Sequence, residues 1–262
     1  MDYTDIVYET DAGVARITIN RPQVMNAFNG HSIEELTDAF AQAGRDSSVG
    51  VIVLTGAGER AFCAGGDVNW EASGALDGNA AAKMMEDLYD TMRATRKPCI
   101  ARINGYSIGG GNHLGYFCDL SIAADHAIFG QNGPRVASPA DGWIVGYSVR
   151  VLGAKRAREM WMLCRRYTAQ QALDWGLVNA VVPMAELDAE VARWTSELLA
   201  MSPSVIKTLK TVFDEEYSAL RELQGDRDYV SEVVPGFWES GEQAEGAAAF
   251  TEKRAPDFSP WR

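Results

Sequence analysis

The hydrophobic pattern of the first 200 residues alternates between short apolar runs and helical spacing. Continuous runs rich in Val and Ile at residues 51–56 and 98–103 predict strands buried on both faces. Apolar residues at helical spacing predict helices over residues 32–43, where Ser32 is the expected cap, and over residues 80–95. Further strands are predicted over residues 6–10, 14–19, 120–124 and 127–130. Strand–strand–helix units therefore recur, without the glycine fingerprint of a dinucleotide-binding unit.

The second half of the chain is mostly helical. Residues 70–79, rich in Gly, Ala and Asp, predict a surface loop before that change. The expected later helices cover residues 154–164, 169–174, 187–199, 203–220 and 242–254, with a loosely defined piece from Asp226. No low-complexity linker interrupts the chain. The expected division into a core of residues 1–200 and a C-terminal helical region of residues 201–262 is thus architectural and is marked by no linker.

Composition and charge narrow the class of protein. Of the 262 residues, 47% are hydrophobic and 23% are charged, as in an ordinary globular protein. The net charge of −12 argues against a nucleic-acid surface, and an anionic ligand would need a local basic patch. No apolar run reaches the roughly 18 residues of a membrane span. The acidic N-terminus is unlike a signal peptide, so a cytoplasmic protein that does not contact membranes is expected.

The cysteines and histidines do not form a recognisable ligand pattern. Four cysteines lie far apart, without CxxC spacing, so neither a disulfide framework nor a metal site is expected. They are Cys63, Cys99, Cys118 and Cys164. The three histidines, His31, His113 and His126, are equally dispersed.

Two glycine-rich loops follow predicted strands. The triplet Gly109-Gly110-Gly111 lies between the strand at residues 98–103 and a predicted helix that begins at His113. The segment Gly65-Gly66-Asp67 follows the strand at residues 51–56. Such loops present free backbone N–H groups, which could hold a phosphate or a thioester oxygen that becomes an enolate. The alternative is that the glycines serve only as tight turns packed against neighbouring strands.

This pair of loops resembles the crotonase (enoyl-CoA hydratase/isomerase) superfamily, and the resemblance extends from residues 17–22 to residues 252–254. It implies an α/β fold, a spiral of ββα units with a C-terminal helical region. It also implies that Gly66 and Gly110 form an oxyanion hole for an acyl-CoA thioester. The coenzyme A would be part of the substrate, with no resident metal. The implied assembly is a homotrimer or a dimer of trimers, in which the C-terminal helices cover an active site, often a neighbour's.

The resemblance also assigns contact residues. Backbone contacts to the pantetheine are implied for Val24, Asn26 and Ala27. The nucleotide end is implied to meet Phe250 and Lys253. The full set implied to contact substrate or coenzyme A is Val24, Asn26, Ala27, Ala64, Asp67, Val68, Gln131, Gly133, Trp143, Trp161, Trp238, Phe250 and Lys253.

The two glutamates of a simple hydratase are missing. Their positions are occupied by His113 and Gly133, and neither can act as a carboxylate acid/base. Segments 129–138 and 155–161 instead resemble naphthoate synthase and, equally, 2-ketocyclohexanecarboxyl-CoA hydrolase. The first of these closes a ring and the second opens one, both through an enolate. The resemblance implies that Ser138 orients the substrate and that bicarbonate, beside Gln131, Gly133 and Trp161, can serve as the base.

The chain also departs from that branch. The branch carries an Asp two residues beyond the serine, where this chain has Ala140, and the acid follows one step later as Asp141. A C-terminal Tyr of the branch aligns with Trp238, which cannot transfer a proton, so Tyr147 or Tyr229 would have to replace it. We therefore expect Asp141 to be the principal acid/base, with helix capping as its alternative role.

The expected activity follows from these positions. Bulky Trp143, Tyr147 and Trp161 predict an aromatic-lined pocket for a cyclic acyl group. The predicted enzyme hydrolyses a C–C bond in a cyclic β-keto or unsaturated acyl-CoA, or closes such a ring. The alternatives are a hydratase- or isomerase-like enzyme with a non-standard Asp and a catalytically inactive CoA-binding protein.

Overall fold

The computed structural model describes residues 2–72, 78–139, 142–224 and 227–262. Two positions singled out in the sequence, Asp141 and the start of the helical piece at Asp226, lie outside the described residues.

The described residues contain strands in two sheets. In chain order the strands are β1 (Ile6–Asp11), β2 (Val14–Ile19), β3 (Val51–Gly56), β4 (Ala61–Cys63), β5 (Cys99–Ile103), β6 (Tyr106–Ile108), β7 (Leu120–Ala124), β8 (Ile128–Gly130), β9 (Tyr167–Thr168) and β10 (Ala180–Val182). The six-stranded sheet has the order β1-β2-β3-β5-β7-β10, and the four-stranded sheet has the order β4-β6-β8-β9. The pairs β1/β2 and β8/β9 are antiparallel, and the other pairs are parallel.

The same strand–strand–helix unit repeats along the chain and builds both sheets. Strands β3, β5 and β7 lie in the large sheet, and each is followed at once by a strand of the small sheet, β4, β6 and β8. A helical segment then leads to the next step. The predicted α/β spiral of ββα units with a helical C-terminal region is confirmed. Because β3 and β5 are covered on both faces, all their residues are buried, as their continuous apolar runs predicted.

Helices surround these sheets and dominate the end of the chain. They are α1 (Gly30–Arg45), α2 (Val68–Ala72), α3 (Gly78–Ala94), α4 (Gly110–Phe117), α5 (Gly133–Val136), α6 (Gly142–Leu152), α7 (Ala154–Leu163), α8 (Ala169–Asp174), α9 (Leu187–Leu199), α10 (Pro203–Gln224), α11 (Tyr229–Val233) and α12 (Glu242–Thr251). None of the helices in the described part of the chain is both long and apolar enough to span a bilayer.

Two local predictions were wrong. Helix α1 is capped by Asn29, whose side chain accepts the Ser32 N–H, while Ser32 at the third helical position completes the reciprocal capping box. The surface loop predicted over residues 70–79 is wrong at its two ends, where α2 extends to Ala72 and α3 begins at Gly78, and residues 73–77 lie outside the described part of the chain. Helix α2 is too short to show an apolar period in sequence, and it packs against the distant α12.

The buried cysteines show a proximity that sequence spacing did not indicate. The Sγ atoms of Cys99 and Cys118 lie 3.4 Å apart as free thiols. Burial, followed by the neighbouring Cys99 thiol, raises the pKa of Cys118 well above its ordinary value. Both therefore act as small buried hydrophobic residues.

Candidate active site

The two glycine loops meet because the strands that precede them are neighbours. Strands β4 and β6 pair in parallel, with Cys63 opposite Ser107, so their carboxyl ends lie at the same edge of the small sheet. A Cβ atom added to Gly65 would lie 3.3 Å from the backbone nitrogen of Gly110. The two loops are therefore in direct contact.

The triplet requires glycine for both conformation and space. Gly109 has φ 56° and ψ −124°, a conformation that side chains other than glycine rarely adopt. A Cβ atom on Gly110 would lie 2.4 Å from Cζ of Phe28, and one on Gly111 would lie 2.0 Å from the carbonyl oxygen of Cys63. The triplet is thus a tightly packed turn, and it also begins a helix.

Each loop carries a backbone donor that no described residue satisfies. Gly110 is the first residue of α4, so its N–H has no partner within the helix. The neighbours of Gly66 bond to Phe28, through Gly65 O and Asp67 N–H, but the Gly66 N–H itself has no acceptor among the described residues. The positive end of α4 reinforces this pair of donors. They are suited to hold one negatively charged oxygen.

Both donors open into a cavity of about 820 Å³. Fourteen of the residues implied by the resemblance line it: Val24, Ala27, Ala64, Gly66, Asp67, Val68, Gly110, Gln131, Gly133, Ser138, Trp161, Trp238, Phe250 and Lys253. The structure places Trp238, Phe250 and Lys253 at the cavity of their own chain, so no second subunit is needed to bring them there.

Two other residues implied by the resemblance lie away from the cavity. Asn26 is fully buried, and its amide donates to the carbonyl oxygens of Ala57 and Ala61 at 3.0 and 2.7 Å. Trp143 is also buried, in an aromatic cluster, with its indole N–H donating to Glu86 at 3.1 Å. Both side chains therefore support the fold. Asp141, the expected acid/base, lies outside the described residues.

Asp67 is held by an ion pair. Its Oδ2 lies 3.2 Å from Nη2 of Arg21, and its Oδ1 accepts the Asn69 N–H at 3.1 Å. The Asp67 and Arg21 side chains are only 14% and 13% exposed. Because its charge is paired and both of its oxygens have partners, Asp67 holds the loop in place.

Glu71 is a carboxylate of the cavity that the sequence analysis did not select. It lies one helical turn beyond Asp67, and its side chain returns over the glycine loop. A Cβ atom on Gly66 would lie 1.9 Å from Glu71 Oε1, so the carboxyl group contacts the backbone of the glycine. Burial and the nearby Asp67 charge raise the pKa of Glu71, while a hydrogen bond with Ser138 opposes the shift in part.

His113 and Gln131 bring polar atoms to the inner end of the cavity. Nε2 of His113 and both amide atoms of Gln131 are buried and have no hydrogen-bond partner among the described residues. The His113 ring packs on Trp161, with centroids 5.3 Å apart. Burial lowers the pKa of His113 to about 3, and the neighbouring Gln131 amide opposes this only in part. The imidazole is therefore neutral near pH 7 and suited to hydrogen bonding with an uncharged group.

The side chains implied to surround bicarbonate offer it few donors. A Cβ atom on Gly133 would lie 2.5 Å from the carbonyl oxygen of Ser138, so no side chain fits in that direction, and Gly133 itself lines the cavity. The Trp161 indole N–H is also occupied, because it donates to Ser148 Oγ at 3.0 Å. Gln131 alone retains free polar atoms.

Other cavity residues were missed by sequence reasoning. Arg166 lines the cavity, donating to the carbonyl oxygen of Gln131 and to Oδ1 of Asn132, both at 3.0 Å. Tyr106 and Glu71 also line it. No pattern in the sequence indicated Glu71, because its side chain returns to the loop only through α2, a helix too short to show an apolar period. No group of three or more His, Cys, Asp or Glu side chains in the described part of the chain could hold a metal ion.

Comparison with known proteins gives the family. The sequence profile of the enoyl-CoA hydratase/isomerase family matches residues 9–260. An enoyl-CoA hydratase from Mycobacterium avium subsp. paratuberculosis is 27% identical, with a TM-score of 0.86 over 98% of this chain and 99% of that one. An enoyl-CoA hydratase/isomerase from Xanthobacter autotrophicus is 28% identical, with a TM-score of 0.81 over 97% of this chain and 100% of that one. An enoyl-CoA hydratase/carnithine racemase from Magnetospirillum magneticum is 30% identical, with a TM-score of 0.77 over 98% and 96%. This chain belongs to the enoyl-CoA hydratase/isomerase, or crotonase, family.

Proposed function

We propose that this protein stabilises the enolate of a cyclic β-keto or unsaturated acyl-CoA, and either hydrolyses a C–C bond in it or closes its ring. The observation that supports this most directly is the pair of unsatisfied N–H groups, on Gly66 and Gly110, at one cavity. Family membership supports a CoA thioester as the substrate.

The backbone donors would act on the thioester oxygen. In hydrolytic ring opening, water adds to the ring ketone, the C–C bond breaks, and its electron pair passes to the thioester as an enolate. The Gly66 and Gly110 N–H groups would hold that oxygen without reorganising, because each is fixed in a packed loop. Ring closure uses the same enolate in the opposite direction.

The inner cavity suits a ring that carries an oxygen. Ile108, Val136 and Ile144 supply apolar walls. The unpartnered atoms of His113 and Gln131 would meet a keto or hydroxyl group, and leaving them unpaired in a complex would be costly. A neutral His113 favours an uncharged oxygen over a carboxylate at this position.

The outer cavity suits coenzyme A. Val24 and Ala27 line one wall, where the pantetheine would run. Lys253 and Arg166 contribute positive charge in a protein whose net charge is −12. We propose that Phe250 and Lys253 receive the nucleotide, with Trp238 beside the acyl group.

Hydration of an enoyl-CoA is the second candidate. Related structures are named enoyl-CoA hydratases, and Glu71 supplies a carboxyl group in the cavity. Against this reading, both positions of the family's glutamates are taken by other residues, His113 and Gly133. A CoA-binding protein without catalysis is the third candidate, because those glutamates are missing.

One panel distinguishes the candidates. The purified protein is incubated with cyclic and linear acyl-CoA thioesters, and the products are identified by mass spectrometry. Multiple turnovers that open or close a ring support the proposal, and water addition to linear enoyl-CoAs alone supports the hydratase. Binding without any product would favour the inactive protein, and no binding would reject all three.

We also propose that the protein is a homotrimer or a dimer of trimers. Helix α10 carries Val205, Leu209 and Val212 at helical spacing, and these side chains are 56%, 46% and 54% exposed. Phe213 beside them is 73% exposed. A contiguous exposed apolar face of this kind is typical of a subunit interface.

A further inference from the structure

The carboxyl group of Glu71 lies where a proton must move during enolate chemistry. Its Oε1 contacts the Gly66 backbone, whose N–H is one of the two free donors. The α-carbon of a thioester is only two bonds from the carbonyl oxygen that these donors would hold. A carboxyl oxygen that touches Gly66 is therefore within reach of that carbon.

We propose that Glu71 is a catalytic acid/base of this site, moving a proton between its carboxyl group and the α-carbon of the bound thioester. The assignment rests on the proposed enolate function and adds the group that forms and quenches the enolate.

The other polar groups of the loop are committed elsewhere. Asp67 is paired with Arg21 and accepts the Asn69 N–H. Glu71, in contrast, forms no ion pair with any Lys, Arg or His in the described ranges, although it lines the same cavity. His113 is too weak a base, since its pKa is lowered to about 3 by burial. Glu71 is thus the described cavity carboxyl that is free to exchange a proton.

Its surroundings also favour exchange. Burial first, and then Asp67, raises the pKa of Glu71 above that of an ordinary glutamate, towards the range in which proton transfer is efficient. The hydrogen bond with Ser138 joins this carboxyl to a second residue that lines the cavity. Ser138 is itself fixed, because its N–H donates to the carbonyl oxygen of Gly133 at 3.1 Å.

The step balances without another reactant. Ionised Glu71 takes the α-proton, the C–H electron pair forms the C=C bond, and the carbonyl pair moves onto the oxygen held by Gly66 and Gly110. In the reverse step the protonated carboxyl returns the proton to the α-carbon and the C=O bond is restored. The protonated form would likewise quench an enolate left by C–C cleavage.

Deuterium exchange tests the assignment without the natural substrate. Cyclohexanecarboxyl-CoA, a saturated ring thioester, is incubated with the protein in D₂O, and incorporation at its α-carbon is followed by mass spectrometry. We expect exchange by the unaltered protein and a loss of roughly 10²–10⁴ in rate for Glu71→Gln, with probe binding retained in calorimetry. The control Glu34→Gln, at an exposed position of α1, should exchange normally.

The outcomes separate this assignment from the proposed function. If the unaltered protein does not bind the probe, the proposed function is rejected and Glu71 with it. If it binds the probe but does not exchange it, or if Glu71→Gln exchanges at the full rate, only the Glu71 assignment is overturned. Asp141→Asn is run in parallel, and loss of exchange there alone assigns the base to Asp141 instead.

A second variant keeps Glu71 in place. Ser138→Ala removes a hydrogen bond that favours the ionised carboxylate, so the pKa of Glu71 should rise further. The pH at which exchange reaches half its maximum should then move upward. If the pH dependence of exchange is the same in Ser138→Ala as in the original protein, the assignment is overturned. This comparison tests the assignment even if Glu71→Gln fails to fold.

Discussion

Arg21 joins the end of β2 to both loops that border the cavity. Its Nη2 lies 3.2 Å from Oδ2 of Asp67, in the oxyanion loop. Its Nη1 donates at 2.5 Å to the carbonyl oxygen of Ala27, in the segment that pairs with this loop through Phe28. One largely buried guanidinium therefore reinforces the backbone pairing between the loop that carries Gly66 and the segment proposed for the pantetheine.

Arg21→Met should destabilise the fold. The substitution leaves the Asp67 carboxylate nearly buried without its cation, which costs about 3 kcal/mol for pairs of this kind. Urea unfolding of both proteins measures the difference. Arg16→Met is the matched control, because the Arg16–Asp188 pair is 38% and 64% exposed and should contribute about 0–1 kcal/mol. Equal losses in the two variants would contradict the role given to Arg21.

Gly110→Pro should abolish turnover while the acyl-CoA still binds. Proline removes the N–H, and losing one donor of an oxyanion hole costs roughly 10²–10³ in rate. Gly110→Ala is the control, since it adds the same Cβ against Phe28 and keeps the N–H. Both turnover and binding are measured for the pair. If the alanine variant loses as much as the proline variant, packing and not the donor explains the effect.

Glu71→Gln should make the protein more stable in mild alkali. Because folding raises the pKa of Glu71 above its unfolded value of 4.5, the folded state prefers the protonated carboxyl. The stabilisation from this group is present below pH 4.5 and is lost as the pH rises through the folded pKa. At pH 8 the variant should therefore melt at a higher temperature than the original, and the gain should vanish at pH 4. A variant that melts lower at pH 8 would show that the ionised carboxylate is well accommodated.

His113 should make the protein sensitive to acid. Its folded pKa of about 3 lies below the ordinary 6.5, so between these values the unfolded state binds a proton that the folded state does not. Stability from this group is complete above pH 6.5 and falls as the pH drops. By pH 5 the total loss relative to alkaline pH is about 2 kcal/mol, since each full pH unit below the unfolded pKa costs about 1.36 kcal/mol. His113→Gln should remove this part of the acid dependence in urea unfolding, while the exposed His126→Gln should retain it.

Charge on the α10 face should prevent assembly. Leu209→Glu places a carboxylate in the middle of the apolar stripe, and burying it in an interface is unfavourable. We expect the variant to sediment as a monomer where the original sediments as a trimer or hexamer. Lys207→Glu, exposed but outside the stripe, is the control. A monomeric original protein would reject the proposed assembly.

Most of the architecture could be predicted from local pattern. Apolar runs located β3 and β5, and helical spacing located α1, α3 and α9, because burial on two faces or on one stripe leaves a period in the sequence. The start of α1 and the helix α2 could not be predicted from apolar periodicity. Either Asn29 or Ser32 could cap α1, and only the backbone conformation decides between them. Helix α2 has five residues, too few to show a helical period of apolar positions.

The residues of the candidate site were also predictable only in part. The role expected for Gly66 and Gly110 came from the family resemblance, because by pattern alone the glycines could equally have served as tight turns. The sequence did not distinguish Trp143 from Trp161. Both are aromatic residues near the expected pocket, but one lies in the core and the other lines the cavity.

By itself the sequence determined the strands and helices with a clear period and the two glycine loops, because these depend on local pattern, and the family resemblance of those loops implied the spiral and its N–H donors. The tertiary structure decided which polar groups reach that cavity. The Asn26 amide donates to the carbonyl oxygen of Ala61. Asp67 pairs with Arg21, and the Glu71 carboxyl contacts the Gly66 backbone. Those outcomes depend on burial and on partners far away in the chain, since a carboxyl group is free to exchange a proton only where the fold brings it no cation.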